Sequence, residues 1–181
     1  MGESKNRYYF AYGSNINLKQ MDYRCPNAVP LVPVELHGYD LTFRGGGVAT
    51  IVPQKEAVVQ GLLWQITPEC ERSLDCYEGY PHLYGKESLQ VVDPQTNDGY
   101  QVMAYIMTDR YKEPSLPTAT YFYGIYEGFR QNGMDTKPLM QSLEKIEKEV
   151  EERYQDDPWY EFGRKWRQVI PKNHKPKGKS R

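Results

Sequence analysis

Strand-forming runs crowd the stretch from Tyr8 to Thr108, and the two longest helical runs come only after it. "YYFAY", "AVPLVPVEL" (28–36), "YDLTFR" (39–44), "ATIV" (49–52), "VVQGLLWQI" (58–66), "ESLQVV" (87–92) and "YQVMAYIMT" (100–108) read as strands. Only two short helical runs interrupt them, Leu18–Arg24, which must stop near Pro26, and the segment after Thr67. Nothing alternates strand and helix regularly, so a doubly wound parallel sheet is excluded, and no internal repeat appears. The segregation predicts an α+β class: a small, mostly antiparallel β-barrel flanked by helices.

The turns carry their own punctuation. Pro30 and Pro33 predict an edge or irregular strand over 28–36. "RGGG" ahead of Ala49–Val52 predicts a bulge or tight bend, and "NDG" predicts a hairpin turn of the Asp-Gly type. Beyond Thr108, a helix over about 120–131 buries Tyr121, Ile125 and Phe129. A last helix over 137–154 aligns Leu139, Leu143, Ile146 and Val150, with Glu/Lys pairs on its wet side. Domain organisation follows as one body over 1–158 and a C-terminal extension over 159–181. The aromatic start of that extension, Trp159, Tyr160, Phe162 and Trp166, suggests a stretch that docks on the body.

Composition excludes several classes. The chain opens on charged residues and contains no long apolar run, which argues against a secretory leader or a membrane helix. Three cysteines without a CxxC pair read as reduced thiols in a cytoplasmic protein, and three scattered histidines offer no metal-ligand spacing. Neither a metal nor a cofactor is called for. Gly163 to Arg181 holds eight Lys/Arg and no acid, so the body carries about −9 and the tail about +8. A solvated terminus is the plainer reading of that tail; contact with RNA, an anionic surface or the protein's own acidic face is the other.

Two places could carry chemistry. "YGSN", Tyr12 to Asn15, turns out of a strand ahead of a helix and presents several backbone N–H groups in one direction, which suits a carboxylate or phosphate. An ordinary strand-to-helix turn has the same sequence. The second place is Glu78. Thr67 can cap a helix whose first position is Pro68; Glu69 and Glu71 suit its positive end, and Gly79 can close it. Glu78 then falls in the last turn, where the negative end of the dipole disfavours a carboxylate. Tyr77, Tyr80 and Tyr84 are near enough in sequence to desolvate it, and both effects raise a carboxyl pKa toward the range of a general base. A solvated surface glutamate is the competing reading. "RGGGVAT" lacks dinucleotide spacing and reads as a structural bulge, or else as backbone laid bare beside a ligand.

In order, "YYFAYGSN", "GGGVATI", "VVQGLLW", "SLDCYEG", a helix bearing Tyr121, and "NGM" resemble the γ-glutamylcyclotransferase family from about Tyr8 to Ile146. YGSN paired with LDxxEG at this separation is a specific signature, and the glutathione-specific branch opens with a different turn. The resemblance implies a closed β-barrel and an enzyme that releases 5-oxoproline from a γ-glutamyl amino acid. Glu78 matches the family's catalytic general acid/base. Tyr12, Gly13, Ser14 and Asn15, led in by Tyr9 and Phe10, match its substrate-binding segment, and Tyr121 matches a pocket tyrosine. Tyr84 is a further substrate-binding candidate, one residue nearer the glutamate than its counterpart in the animal amino-acid-specific enzymes. That offset, Cys76-Tyr77 and "YPH" depart from that branch and bear on substrate identity.

The partner implied is a small γ-glutamyl substrate, with no membrane, no nucleic acid beyond what the basic tail leaves open, and a monomer or homodimer. Two alternatives stand beside this reading: a cyclotransferase for a γ-glutamyl amine or a γ-glutamylated biosynthetic intermediate, and a binding module without turnover. Glu78 weighs against the module, because a second negative charge does not help hold an acidic ligand.

Overall fold

The computed structural model describes residues 7–157. Its barrel closes on a short strand, β1 (Arg7–Ala11), which pairs antiparallel with β3 (Val48–Ile66) and parallel with β5 (Gly99–Met107). The register runs from Arg7↔Ile66 to Ala11↔Leu62 on one side and meets at Tyr9↔Met103 on the other. β2 (Val29–Arg44) lies on the far side of β3, and β4 (Tyr84–Val92) joins β5 as a hairpin from Tyr84↔Met107 to Val92↔Gly99. One pairing, Glu35↔Val92, completes the circuit β1-β3-β2-β4-β5. The class is α+β, as the order of the runs predicts.

The strand boundaries differ from the sequence expectation. Residues 28–36 and 39–44 are one strand, and 49–52 and 58–66 are one strand. Their pairing continues from Tyr39↔Pro53 to Arg44↔Val48 as a ribbon beyond the barrel. The breaks that Pro30, Pro33 and Gly38 suggest are absorbed as register shifts at Pro30/Pro33 and His37/Tyr39. The three glycines make the tip of this ribbon, all with positive φ (51°, 92° and 86°). At Gly47 a Cβ would stand 2.2 Å from the Leu116 carbonyl oxygen, so the position also excludes side chains on space.

"NDG" is likewise not a two-residue Asp-Gly turn. Gly99 already belongs to β5, and the positive φ falls on Asn97 in a loop tied by Asn97 N–H to Asp93 O and Gln95 N–H to Asp93 Oδ1. The short polar side chains of Asp93 and Asn97 do locally what glycine does elsewhere.

α1 (Leu18–Arg24) is capped by Asn17, whose side chain accepts from Gln20 N–H. α2 (Pro68–Glu78) has the ends its sequence predicts: Thr67 Oγ1 accepts from Cys70 N–H at 3.2 Å. Gly79 takes φ +63°, and Tyr80 N–H returns to Asp75 O at 3.0 Å. α3 (Ala119–Gln131) starts at Thr118 and lies close against the turn that follows β1. A Cβ at Gly128 would meet Asn17 N at 2.7 Å, and Asn17 Nδ2 donates to Gly124 O. Ile125 and Phe129 on its inner face are fully buried, each contributing about 1.5–3 kcal/mol. Tyr121, expected in the core with them, is half-buried instead. α4 (Lys137–Tyr154) packs on β2 through Leu139, Ile146 and Val150, and Arg44 pairs both guanidinium nitrogens with Glu149 (2.7 and 3.2 Å). No helix among the described residues is long and apolar enough to cross a membrane. The aromatic and basic extension and its boundary at residue 158 lie outside the described residues.

Candidate active site

Tyr9 of β1 and Tyr12, one residue beyond that strand, line a cavity of about 200 Å3. The strand then breaks at Gly13 into a single 3-10 turn, Ser14–Ile16. Gly13 sits close to its neighbours: a Cβ there would lie 3.2 Å from Ala49 Cβ, a tight contact, and 3.5 Å from the Tyr121 hydroxyl. The first N–H groups of such a turn have no acceptor within it and are available to a ligand. Tyr84 enters from β4, Tyr121 from α3 and Glu78 from the last residue of α2.

Glu78, Tyr9, Tyr12, Gly13, Ser14, Asn15, Tyr84 and Tyr121 thus line one cavity. Phe10 does not. It is fully buried in the core, where the missing side chain of Gly61 makes room for its ring. Sequence adjacency to Tyr9 misleads here because neighbouring residues on a strand point to opposite faces. Tyr80 is not in the lining either: it is 42% exposed, with Lys86 Nζ 4.6 Å over its ring.

The hydrogen bonds explain how the walls are held. Asn15 Nδ2 donates to Glu78 Oε1 and to the Tyr9 hydroxyl, each at 2.8 Å, and Trp64 Nε1 donates to Asn15 O at 3.1 Å. The Tyr84 hydroxyl donates to Ala49 O at 2.6 Å, while Ala49 N–H donates to the Tyr121 hydroxyl at 3.0 Å. One residue of β3 therefore fixes two tyrosines. The Tyr12 hydroxyl donates to Tyr105 O. Burial, reinforced by the nearby Glu78 charge, holds Tyr9, Tyr12 and Tyr121 well above the ordinary phenol pKa. Burial does the same at Tyr84. These groups remain neutral and able to donate.

Glu78 is the exception among them. Burial of its carboxyl pushes its pKa up to about 7, against the opposing pull of the Arg24 charge and the Asn15 hydrogen bond. The expectation of a raised pKa rested on the helix end and on flanking tyrosines; removal from water is the largest cause. A carboxyl that titrates near neutrality can both accept and return a proton.

Several residues escaped the sequence reading. Val48, Ala49, Leu83 and Tyr105 complete the lining with Tyr77, which the sequence marks only as a neighbour of Glu78. Ala49 follows the "RGGG" stretch, whose glycines form the tight bend that its first reading expects. Arg24 lies behind the wall, donating to Asn15 Oδ1 at 2.6 Å and Ser14 Oγ at 3.0 Å. No sequence signal marks it beyond a basic residue in the last turn of a short helix. Among the described residues, no three His, Cys, Asp or Glu side chains stand together in a way that could hold a metal ion.

Comparison with known proteins places this geometry. Residues 9–123 match the family model described as gamma-glutamyl cyclotransferase, AIG2-like. The gamma-glutamylcyclotransferase of Mus musculus is 28% identical over 144 residues, covering 73% of this chain and 74% of that protein. That of Bos taurus is 28% identical over 167 residues, covering 80% and 85%. A solved structure titled gamma-glutamyl cyclotransferase superposes with a TM-score of 0.68 at 26% identity, over 79% of this chain and 87% of the other.

Proposed function

The chain belongs to the γ-glutamyl cyclotransferase, AIG2-like family, and we propose that it releases 5-oxoproline from a γ-glutamyl amino acid with Glu78 carrying the protons. The observation that supports this most is a carboxyl that titrates near 7, held by Asn15 in a small tyrosine-walled cavity beside the Gly13–Asn15 turn. A purely structural glutamate has no need of that placement.

The substrate contains its own nucleophile. Its α-amine attacks the γ-carbonyl carbon, a C–N bond forms to close a five-membered lactam, and the original amide C–N bond breaks. Folding the glutamyl chain into the ring-closing pose converts an intermolecular aminolysis into an intramolecular one, an advantage worth about 7–11 kcal/mol at best. Ionised Glu78 removes one proton from the α-ammonium, and the protonated acid gives it to the departing nitrogen. The second proton, shed by the ring nitrogen as the lactam forms, passes to the same amine, which leaves as an ammonium ion. No water is consumed, and no oxidant or reductant takes part. General acid–base help of this kind contributes about 10²–10⁴-fold.

Backbone N–H groups of the Gly13–Asn15 turn hold the substrate's α-carboxylate, and one of them steadies the oxyanion of the tetrahedral intermediate. Tyr121 already accepts a hydrogen bond from Ala49 N–H, which leaves its own hydrogen to donate to bound substrate. Tyr9, Tyr12 and Tyr84 form a wall that excludes water and strengthens these contacts.

The test is 5-oxoproline release from a panel of γ-glutamyl amino acids and γ-glutamyl amines, with wild type and Glu78→Gln side by side. Release from γ-glutamyl amino acids that disappears in the variant supports the proposal. Release confined to the amines would move the substrate to the neighbouring class. A folded protein that binds but never turns over any member would make it a binding module.

A further inference from the structure

Arg24 does not line the cavity, yet it touches three groups that do. NH1 donates to Asn15 Oδ1 at 2.6 Å and to Ser14 Oγ at 3.0 Å, and the guanidinium carbon stands 3.7 Å from the centre of the Tyr77 ring. NH2 is held from the other side by Gln20 Oε1 at 2.8 Å, one turn earlier on the same helix. A basic residue in the last turn of a helix is favoured by the dipole alone. That preference does not explain why the guanidinium is turned toward the cavity wall and bonded there to Asn15 and Ser14.

The consequence lies in the orientation of one amide. Asn15 has two faces, a carbonyl oxygen and an NH2, and exchanging them costs little when nothing discriminates between them. Here the oxygen faces a guanidinium and the NH2 faces the Glu78 carboxylate and the Tyr9 hydroxyl. Reversing the amide would place NH2 against a cation and oxygen against an anion, two repulsive contacts in a buried residue.

We propose that Arg24 is a positioning residue of this active site: it locks Asn15 so that Nδ2 always presents a donor to Glu78, and it ties Ser14 and Tyr77 into the same frame. The catalytic part of this statement rests on the cyclotransferase reading above; the placement of Asn15 against Glu78 does not.

The same geometry has an electrostatic side. Tyr9 from β1, Tyr12 just beyond it, Tyr77 from α2, Tyr84 from β4, Tyr105 from β5 and Tyr121 from α3 surround the cavity. Arg24 brings a full positive charge from α1 and opposes the burial that raises Glu78. Removing that charge while keeping the fold would let Glu78 hold its proton to higher pH.

The experiment is a carbon-13 NMR titration of the Glu78 side chain in substrate-free wild type, Arg24→Gln and Arg24→Lys, beside the pH dependence of kcat/KM for each. In Arg24→Gln the Glu78 midpoint rises above its wild-type value, the ascending limb of kcat/KM moves with it, and kcat falls roughly ten- to a hundredfold. Arg24→Lys keeps the charge without the fork, so its midpoint stays near that of wild type while kcat recovers only in part.

An unchanged Glu78 midpoint in folded Arg24→Gln overturns the proposal, as does full wild-type kcat in that variant. If Arg24→Gln does not fold by circular dichroism, Arg24→Lys decides: reduced kcat at an unmoved midpoint supports the role, and full kcat overturns it. A wild type that releases no 5-oxoproline would remove the cyclotransferase reading, while the titration would still stand or fall on its own.

Discussion

Glu71, Asp75 and Glu78 follow one another along one stripe of α2, and the structure treats them in different ways. Within the helix Asp75 accepts from Lys86 Nζ at 2.9 Å and from the Tyr105 hydroxyl at 2.5 Å, and Glu71 shares the same lysine at 2.7 Å. Arg7 adds a further partner to Glu71. At the helix end Glu78 reaches into the cavity, with Asn15 Nδ2 as its hydrogen-bond donor and Arg24 one residue further away. The contrast separates carboxylates that tie the helix to the barrel through ion pairs from one that is buried without a direct cationic partner. Burial, with the cation at one remove, raises the pKa of Glu78, which is what the proposed proton transfer requires.

The sharpest way to break this comparison is to neutralise each carboxylate in turn. Glu78→Gln keeps the shape and the contact with Asn15 but cannot move a proton, so turnover falls about 10²–10⁴-fold with binding retained. The check is 5-oxoproline release together with calorimetric binding of a γ-glutamyl substrate. Near-normal turnover would place the base elsewhere.

The same substitution acts on stability with a definite sign. Burial raises the folded-state pKa of Glu78 to about 7 from an unfolded value of 4.5, so the folded form holds the proton more tightly. Wild type is therefore unpenalised below the unfolded value, and it loses stability as pH rises through the folded one. Glu78→Gln removes that penalty and should be more stable than wild type at pH 8, on the order of 1–2 kcal/mol, with no gain at pH 4. Urea denaturation at the two pH values measures it, and an equal effect at both would contradict the burial account.

Three residues earlier on the helix, Asp75→Asn weakens the bonds to Lys86 and Tyr105 while Glu71 keeps the lysine engaged. A loss of about 1 kcal/mol is expected, with turnover close to wild type. A large loss of turnover would show that the two roles are not separable. Tyr121→Phe is the smallest test: it deletes the acceptor of Ala49 N–H and one donor to substrate, and should raise KM several-fold with kcat little changed. Progress curves over a range of substrate concentration distinguish the two parameters.

What the sequence discloses is the local part of this arrangement. Thr67, Pro68 and Gly79 bound α2 by capping rules that act within a few residues, and that boundary alone puts Glu78 at the helix end. The Tyr12–Asn15 turn is legible for the same reason. The long β2–β3 ribbon is not, because Pro30, Pro33 and Gly38 are breakers by propensity and become register shifts only when a partner strand supports them. Phe10 is misplaced by adjacency, since strand alternation turns it into the Gly61 gap while Tyr9 faces the site. Arg24 and Ala49 are invisible because their roles arise from contacts across the fold: a guanidinium of α1 against Asn15, and one residue of β3 between two tyrosines. Tyr84 and Tyr121 come from elements that share no local signal, yet they meet on the backbone of that residue.

The most direct measurement is the pH dependence of kcat/KM for 5-oxoproline release by wild type from a γ-glutamyl amino acid that it turns over. With Glu78 as the base that deprotonates the α-ammonium, kcat/KM rises through an apparent pKa near 7, the value burial gives the free enzyme. A profile flat from pH 5 to 9, or a limb that persists unchanged in the residual activity of Glu78→Gln, would contradict the account.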